Sequence, residues 1–407
     1  MGLMELSEHL ELGGNMIRNL EEFPGLNCTI NTTEQCNLRC RYCYEVSKRS
    51  RNIDFDLCKR FIDMVTGPQD QFTPMMRKLA SEGMIFDFIG GDSLMDPALL
   101  DRIALYITYR MKSVGHPARD RWRMSISTNG TLFGNPEVRQ FCERWKDLLS
   151  VGVSIDGCPE IHDRYRVFPN GEGSMERIRQ WLPWYREVFP IQSRSTKSTC
   201  SKASIPYLYE SLVYMHETLG FDWINQNFIM EDTGCTDEDY TLLDEQMGKC
   251  VRYVLDHRNE MYWGMIDRLY LQRRNPDDPI PDIGRCGSGC MPCLSLDGLI
   301  YPCFRWLPIS QPGGVDPKIA ISGDVRTGRW FPGAMDLILE KSKRSECTKD
   351  PKCLKCEYEP CCPFCIGGCY AEHGDFIRTT HICEITKIQA RWAEHYWREY
   401  ESLENAG

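Results

Sequence analysis

Cys36, Cys40 and Cys43 stand in the run Cys36-Asn-Leu-Arg-Cys40-Arg-Tyr-Cys43. Three thiolates this close in sequence converge on one small object only if the loop wraps it. A structural zinc site asks for four ligands, and Cys28, on the preceding apolar stretch, is poorly placed to be the fourth. A 4Fe–4S cluster takes cysteine ligands as its normal mode. Held by three, it keeps one iron open for a chelating ligand. The run follows an expected strand, and βα enzymes place their chemistry after the C-terminal ends of strands.

A second concentration lies far along the chain. Twelve of the 22 cysteines fall between Cys286 and Cys383. Disulfides would suit a short exported chain. Here the first residues, MGLMELSEHLELGG, carry acidic side chains and no long apolar core, so they do not read as a signal peptide. The expectation is a cytoplasmic protein with reduced, metal-bound thiolates. No run of 18 apolar residues suggests a membrane span. The formal net charge of −10 gives no general attraction to nucleic acid. Neither a membrane nor a nucleic-acid partner is therefore expected.

Short strand-like runs position the first cluster: LNCTINT, MIFDFIG, RMSIST, LSVGVSI, PIQSRST and WINQNFI. Helical patterns alternate with them, among them FDLCKRFIDMV, PALLDRIALYITYRM and YLYESLVYMHETL. Such alternation implies right-handed crossovers and a parallel sheet. Asp96 is an expected N-cap before Pro97, and Gly220 an expected helix end. The expected organisation is a helical lead-in over 1–26, a barrel domain over 27–230 and a helical bridge and linker over 231–284. A cysteine-rich domain over 285–390 and a C-terminal helix over 391–407 complete it.

With Tyr42 before its last cysteine, the Cys-x3-Cys-x2-Cys run resembles the signature of the radical S-adenosylmethionine (SAM) superfamily. The resemblance implies an α/β fold, a partial (β/α)6 TIM-like barrel. It also implies that the open iron binds SAM and that reductive cleavage yields a 5′-deoxyadenosyl radical. Further motifs match in order. Gly90-Gly91-Asp92 resembles the Gly-Gly-Glu element at the SAM amino group, with a shorter acid and Ser93 where proline is usual. Ser127 and Asn129 lie in a segment similar to the ribose-side motif. Ser154 and Arg166 match a SAM-binding serine and arginine of related maturases, the arginine meeting the carboxylate. Met230, taken as the end of the sixth strand, matches an apolar residue beside adenine; core packing is its other reading.

The C-terminal region resembles the SPASM extension, which carries two auxiliary 4Fe–4S clusters. By family pattern one cluster would use Cys286, Cys303, Cys369 and either Cys290 or Cys293. The other would use Cys353, Cys356, Cys383 and either Cys362 or Cys365. Cys361, Cys362 and Cys365 crowd a place where the family pattern is simpler. Cys347 and Cys361 are further candidate ligands, and twelve cysteines leave a third auxiliary cluster open.

The resemblance implies a maturase that takes hydrogen from a cysteine-containing precursor peptide and forms an intramolecular crosslink, a thioether. Flavodoxin or ferredoxin would donate electrons, and a separate protein would bind a leader. Sulfatase maturases carry Asp after the cysteine matching Cys303, and this chain has Phe304. The alternatives are a sulfatase-maturase-like or small-molecule oxidase and, in another class, an iron–sulfur electron carrier or zinc-binding module.

Overall fold

The computed structural model describes residues 25–45, 48–266, 286–310, 316–359 and 362–406. The expected lead-in up to residue 24, residues 267–284 of the expected linker, and Cys361 lie outside the described residues.

Six parallel strands follow one another across the sheet in chain order. They are β1 (Leu26–Thr33), β2 (Met84–Gly90), β3 (Trp122–Thr128), β4 (Leu149–Ser154), β5 (Ser195–Cys200) and β6 (Trp223–Phe228). Helices between them, including Phe55–Thr66, Pro97–Ser113 and Met175–Val188, make the crossovers. β1 and β6 do not pair with each other, so the arc stays open. This is the expected partial barrel.

Side chains alternate across each strand. Cys28, Ile30, Phe86, Phe88, Met124, Ile126, Val151 and Val153 form one row, buried in the main core. The opposite, lumen-facing row includes Asp87, Ser125, Ser127, Ser154, Lys197, Thr199 and Asn225. A filled TIM barrel packs branched apolar side chains inward; this lumen is polar.

Helix ends follow local chemistry. Asp96 accepts from Leu99 N at 3.0 Å and caps the helix that begins at Pro97. Gly220 takes φ +65°, and its N–H bonds back to His216 O. The helix Pro74–Glu82 was not anticipated, although Thr73 caps it at Met76 N (3.2 Å) with Pro74 in the first turn.

The fifth strand differs from expectation. PIQSRST was read as a strand, but Gln192–Arg194 is a 3-10 turn and β5 is STKSTC. This strand has almost no apolar side chain, so hydropathy does not mark it. Thr196 and Ser198 are buried on its outer side, where hydroxyls bond to backbone: Thr196 Oγ1 to Val153 O at 3.1 Å and Ser198 Oγ to Asp156 O at 3.0 Å.

The cysteine-rich region continues the same sheet. Its first strand, β8 (Cys293–Leu294), pairs in parallel with Thr29 and Ile30 of β1. β9 (Leu299–Tyr301), β10 (Gly323–Asp324) and β11 (Arg329–Trp330) follow in antiparallel fashion. At the far edge β7 (Tyr262–Trp263) pairs with β6. The C-terminal helix starts at Cys383, earlier than residue 391, and packs along Asp237–Asp256. Trp392 lies over Gly248 and donates from Nε1 to Asp244 at 2.7 Å. Its aromatic residues thus serve packing.

Candidate active site

The three clustered cysteines occupy the loop after β1. Two glycines let that loop lie against the end of β2. Gly91 N bonds to Thr33 O at 3.0 Å and Asp92 N to Gln35 O at 2.8 Å. A Cβ on Gly90 would stand 2.2 Å from Thr33 O, and one on Gly91 would stand 2.1 Å from Gln35 O. Only glycine fits either place, and Gly90 also has φ +143°. On its other side the loop is tied by Arg39 N to Val167 O (2.7 Å) and Arg41 N to Tyr165 O (3.0 Å).

Nearby donors point at the sulfurs. Leu38 N lies 3.4 Å from Cys36 Sγ, and Lys48 Nζ lies 3.2 Å from Cys43 Sγ. Such N–H···S contacts are how a protein tunes a thiolate-bound cluster. Burial pushes the Cys36 thiol up to about 11, with Asp92 adding, and raises Cys40 as well. Cationic metal is what stabilises such buried thiols as thiolates.

Asp92 does not reach the cavity with its side chain. It is 2% exposed and fully engaged: Oδ1 accepts from Leu94 N at 3.1 Å, and Oδ2 from Thr128 Oγ1 at 2.8 Å and Asn129 N at 2.9 Å. By resemblance Asp92 would meet the SAM amino group; here its carboxylate bonds to neighbouring loops. Its carboxylate staples the β2 loop to the β3 loop, because an Asp arm is short enough to cap the turn Ser93–Met95. Asn129 in turn donates to Asn37 Oδ1 at 2.9 Å, inside the cluster loop.

Arg166 is where the motif placed it, beside the cluster loop. Its Nε donates to Asp156 Oδ2 at 2.9 Å, and Tyr42 donates to the same oxygen at 2.5 Å. The other oxygen accepts from Thr199 N at 3.0 Å. Burial opposes the Arg166 charge, but Asp156 and Tyr42 outweigh it. Asp156 is not among the expected site residues; its place two residues after Ser154 is the available signal. The Asp156 amide also bonds to His162 Nδ1 at 3.2 Å, and burial lowers His162 to about 3.

A cavity of about 760 Å³ opens at the C-terminal ends of the strands. Cys36, Cys40, Tyr42, Cys43, Gly90, Gly91, Ser127, Asn129, Ser154, Arg166 and Met230 all line it. Met230 lies beyond β6, which ends at Phe228, and its carbonyl bonds to His381 Nε2. Lining residues that sequence reasoning passed over include Glu45, Lys48, Thr199 and Arg305. Glu45 is 2% exposed, and burial raises its carboxyl to about 7 against the pull of Lys48.

Phe304, Arg305 and Cys365 form the wall opposite the cluster loop. Phe304 packs against Tyr44 with ring centroids 6.1 Å apart, and Arg305 pairs with Glu231. Cys365 sits with Cys286 and Cys303. Its thiol falls to about 6, chiefly through a hydrogen bond with Cys286, against burial and with help from Arg305. Cys293 lies near Cys303, whereas Cys290 Sγ donates to Gly287 O at 3.2 Å. A separate cavity of about 30 Å³ gathers Cys353, Cys356, Cys362 and Cys383.

This grouping differs from the division by family pattern, which puts Cys369 with Cys286 and Cys303. The helix Ile366–His373 begins just after Cys365, which caps it at Gly368 N. Cys365 faces Cys286, while Cys369, one turn on, bonds with Thr379 and lies within electrostatic reach of Cys365 and Cys347. Cys347 is buried beside Thr348 and Arg378.

The donor sets fit clusters better than single ions. Four sulfurs around a zinc at ~2.3 Å lie about 3.8 Å apart. Among the described residues no three cysteine thiols lie within 4.8 Å of one another. Sets this open do not close on one ion and leave room for a cluster.

The radical SAM superfamily model matches residues 30–199, which span β1 to β5 and hold this loop. That stretch of the chain is a radical SAM domain. Enzymes of this superfamily use SAM and a 4Fe–4S cluster, and those are its cofactors. Its relatives include an uncharacterized protein, MJ0907, of Methanocaldococcus jannaschii, 28% identical over 190 residues. That match covers 46% of this chain and 57% of the relative, so the chain spans little more than half of that protein. The cysteine-type anaerobic sulfatase-maturating enzyme of Clostridium novyi is 24% identical over 352 residues, covering 83% of this chain and 85% of that one. The solved structure of anSMEcpe with bound AdoMet and Cp18Cys peptide superposes with a TM-score of 0.68 at 15% identity, covering 93% of this chain and all of that one. The likeness of fold to that structure thus extends through the cysteine-rich region. No helix among the described residues is long and apolar enough to cross a membrane.

Proposed function

We propose that this radical SAM enzyme is a peptide maturase that joins a cysteine sulfur to a peptide carbon as a thioether. One observation carries the reading. The cavity that holds the cluster loop on one side has Cys365, of the first auxiliary group, on the other. A peptide residue seated between them is in reach of both. The relative of Clostridium novyi is named as a maturase and anSMEcpe was solved with a peptide, which supports a peptide or protein substrate.

When bound, SAM and its cluster supply the radical that removes hydrogen; the chain supplies position and exclusion of water. Cys36, Cys40 and Cys43 would hold that cluster. Gly90 and Gly91 keep its loop against β2, and Asp156 holds Tyr42 and Arg166 toward the cavity. Cys286, Cys303, Cys365 and Cys293 are the proposed ligands of one auxiliary cluster, and Cys353, Cys356, Cys362 and Cys383 of the other. Flavodoxin or ferredoxin is the proposed electron donor, and the cytoplasm the proposed compartment.

A second reading, oxidation of a single protein side chain as in sulfatase maturation, is favoured by the length of the match to the Clostridium relative. Phe304, packed on Tyr44 where those enzymes carry an acid, stands against it. The test uses anaerobic, reconstituted enzyme with SAM, a reductant and the small cysteine-containing peptide encoded beside its gene. A loss of two hydrogens with the cysteine thiol blocked to alkylation supports the thioether, and Cys40→Ala should abolish it. An aldehyde at a single side chain with no crosslink would replace it with the second reading.

A further inference from the structure

Lys197 stands inside the barrel, on the lumen face of β5. Its chain crosses β4 at Gly152, where a Cβ would lie 3.5 Å from Lys197 Cε, and Nζ donates to Ser127 Oγ at 2.7 Å. Ser127 lines the 760 Å³ cavity, so Lys197 Nζ is bonded to a residue of that cavity's wall. Its other neighbours are polar: Ser154 and Asn225 are its register partners on β4 and β6.

The lysine's charge is incompletely matched. Asp87 attracts it electrostatically, but no carboxylate among the described residues lies within 4.0 Å of Nζ. Asp87 itself is held by Ser125. Lys197 is only partly exposed, and lysines turned into a protein interior are rare unless paired. One hydroxyl acceptor leaves two of its three donors to be satisfied from the lumen.

We propose that Lys197 anchors a carboxylate of the substrate in the barrel lumen, below the SAM site. This rests on the reading of the enzyme as a peptide maturase, and the carboxylate is that of an Asp or Glu side chain or of a peptide C-terminus. A substrate held there from beneath would present a neighbouring carbon upward into the cavity between the cluster loop and Cys365. The carboxylate of SAM is the competing anion. Arg166, on the cluster-loop side of the cavity and turned toward it by Asp156, is the cation suited to that one.

The test measures binding, without turnover, to the anaerobic cluster-loaded enzyme saturated with SAM. Three probes are titrated by calorimetry: acetyl-Gly-Cys-Gly-Glu-Gly-amide, its Gln counterpart, and acetyl-Gly-Cys-Gly-Gly with a free C-terminus. The expected result is that one or both acidic probes bind roughly tenfold or more tightly than the Gln probe. That preference disappears in Lys197→Met and survives in Lys197→Arg, while affinity for SAM stays unchanged in both. The acidic probe that shows the preference identifies the source of the carboxylate. Equal binding of all three, or a preference untouched by Lys197→Met, overturns the proposal. So does a tenfold loss of SAM affinity in Lys197→Met, which would assign the lysine to SAM. Absence of any peptide product with 5′-deoxyadenosine still formed would instead refute the peptide reading, and is read separately.

Discussion

The two cysteine-bearing regions are built on opposite plans. The cluster loop after β1 takes all three thiols from one short stretch, and everything that shapes it comes from elsewhere. Gly90 and Gly91 clear its path, Asp92 ties the next two loops together, and Asp156 fixes Tyr42 and Arg166 beside it. The cysteine-rich region gathers each group from distant stretches: Cys286, Cys303 and Cys365 for one, and Cys353, Cys356, Cys362 and Cys383 for the other. Local spacing therefore specifies the first site well and the second poorly. In the second, a single helix start decides which of two cysteines one turn apart faces the group.

The sharpest test of that contrast compares Cys365→Ser with Cys369→Ser. Iron analysis should show Cys365→Ser losing about four irons, one cluster's worth, while Cys369→Ser keeps its full content. The reverse result would restore the grouping expected from sequence. The next largest effect should come from Asp156→Ala, which leaves Arg166 buried without its carboxylate. Removing one partner of a buried pair costs about 3–5 kcal/mol, so its denaturation midpoint should fall steeply and Arg166→Met should partly restore it.

Acid should act through His162, which is buried and neutral because burial lowers its pKa to about 3. Below the ordinary histidine value of ~6.5 the unfolded chain takes up a proton that the folded chain refuses, so stability falls as pH falls, by roughly 2 kcal/mol at pH 5. Comparing thermal midpoints at pH 7.5 and 5 should show wild type losing more than His162→Gln. The smallest effect expected is that of Thr73→Ala, a lost helix cap worth ~1 kcal/mol, with cluster content unchanged.

Much of the barrel was legible because its outer row is apolar and periodic. Five of the six strands stand close to where patterning placed them, and Asp96 and Gly220 bound helices as their chemistry suggested. β5 escaped because its buried outer side chains are hydroxyls bonded to backbone, a pairing that hydropathy does not register. The cysteine motif and Arg166 were legible as types at spacings. The inward turn of Asp92 was not, since the length of one side chain decides whether it reaches a cavity or closes a turn. Lys197 lay in the strand that was missed, so no pattern could have set it in the lumen.

The pairing of β8 with β1 has a mechanical corollary. The strand that launches the SAM-cluster loop is hydrogen-bonded at Thr29 and Ile30 to the strand bearing Cys293. Adjacent strands sit ~4.8 Å apart, so the separation between the two metal-binding regions is set by a backbone ladder, as by the rungs of a truss, and not by a tether. Severing the chain between residues 266 and 286 should then yield halves that recognise each other along that seam. The amino-terminal half alone would bare β1 as a raw edge, inviting foreign strands to zip onto it.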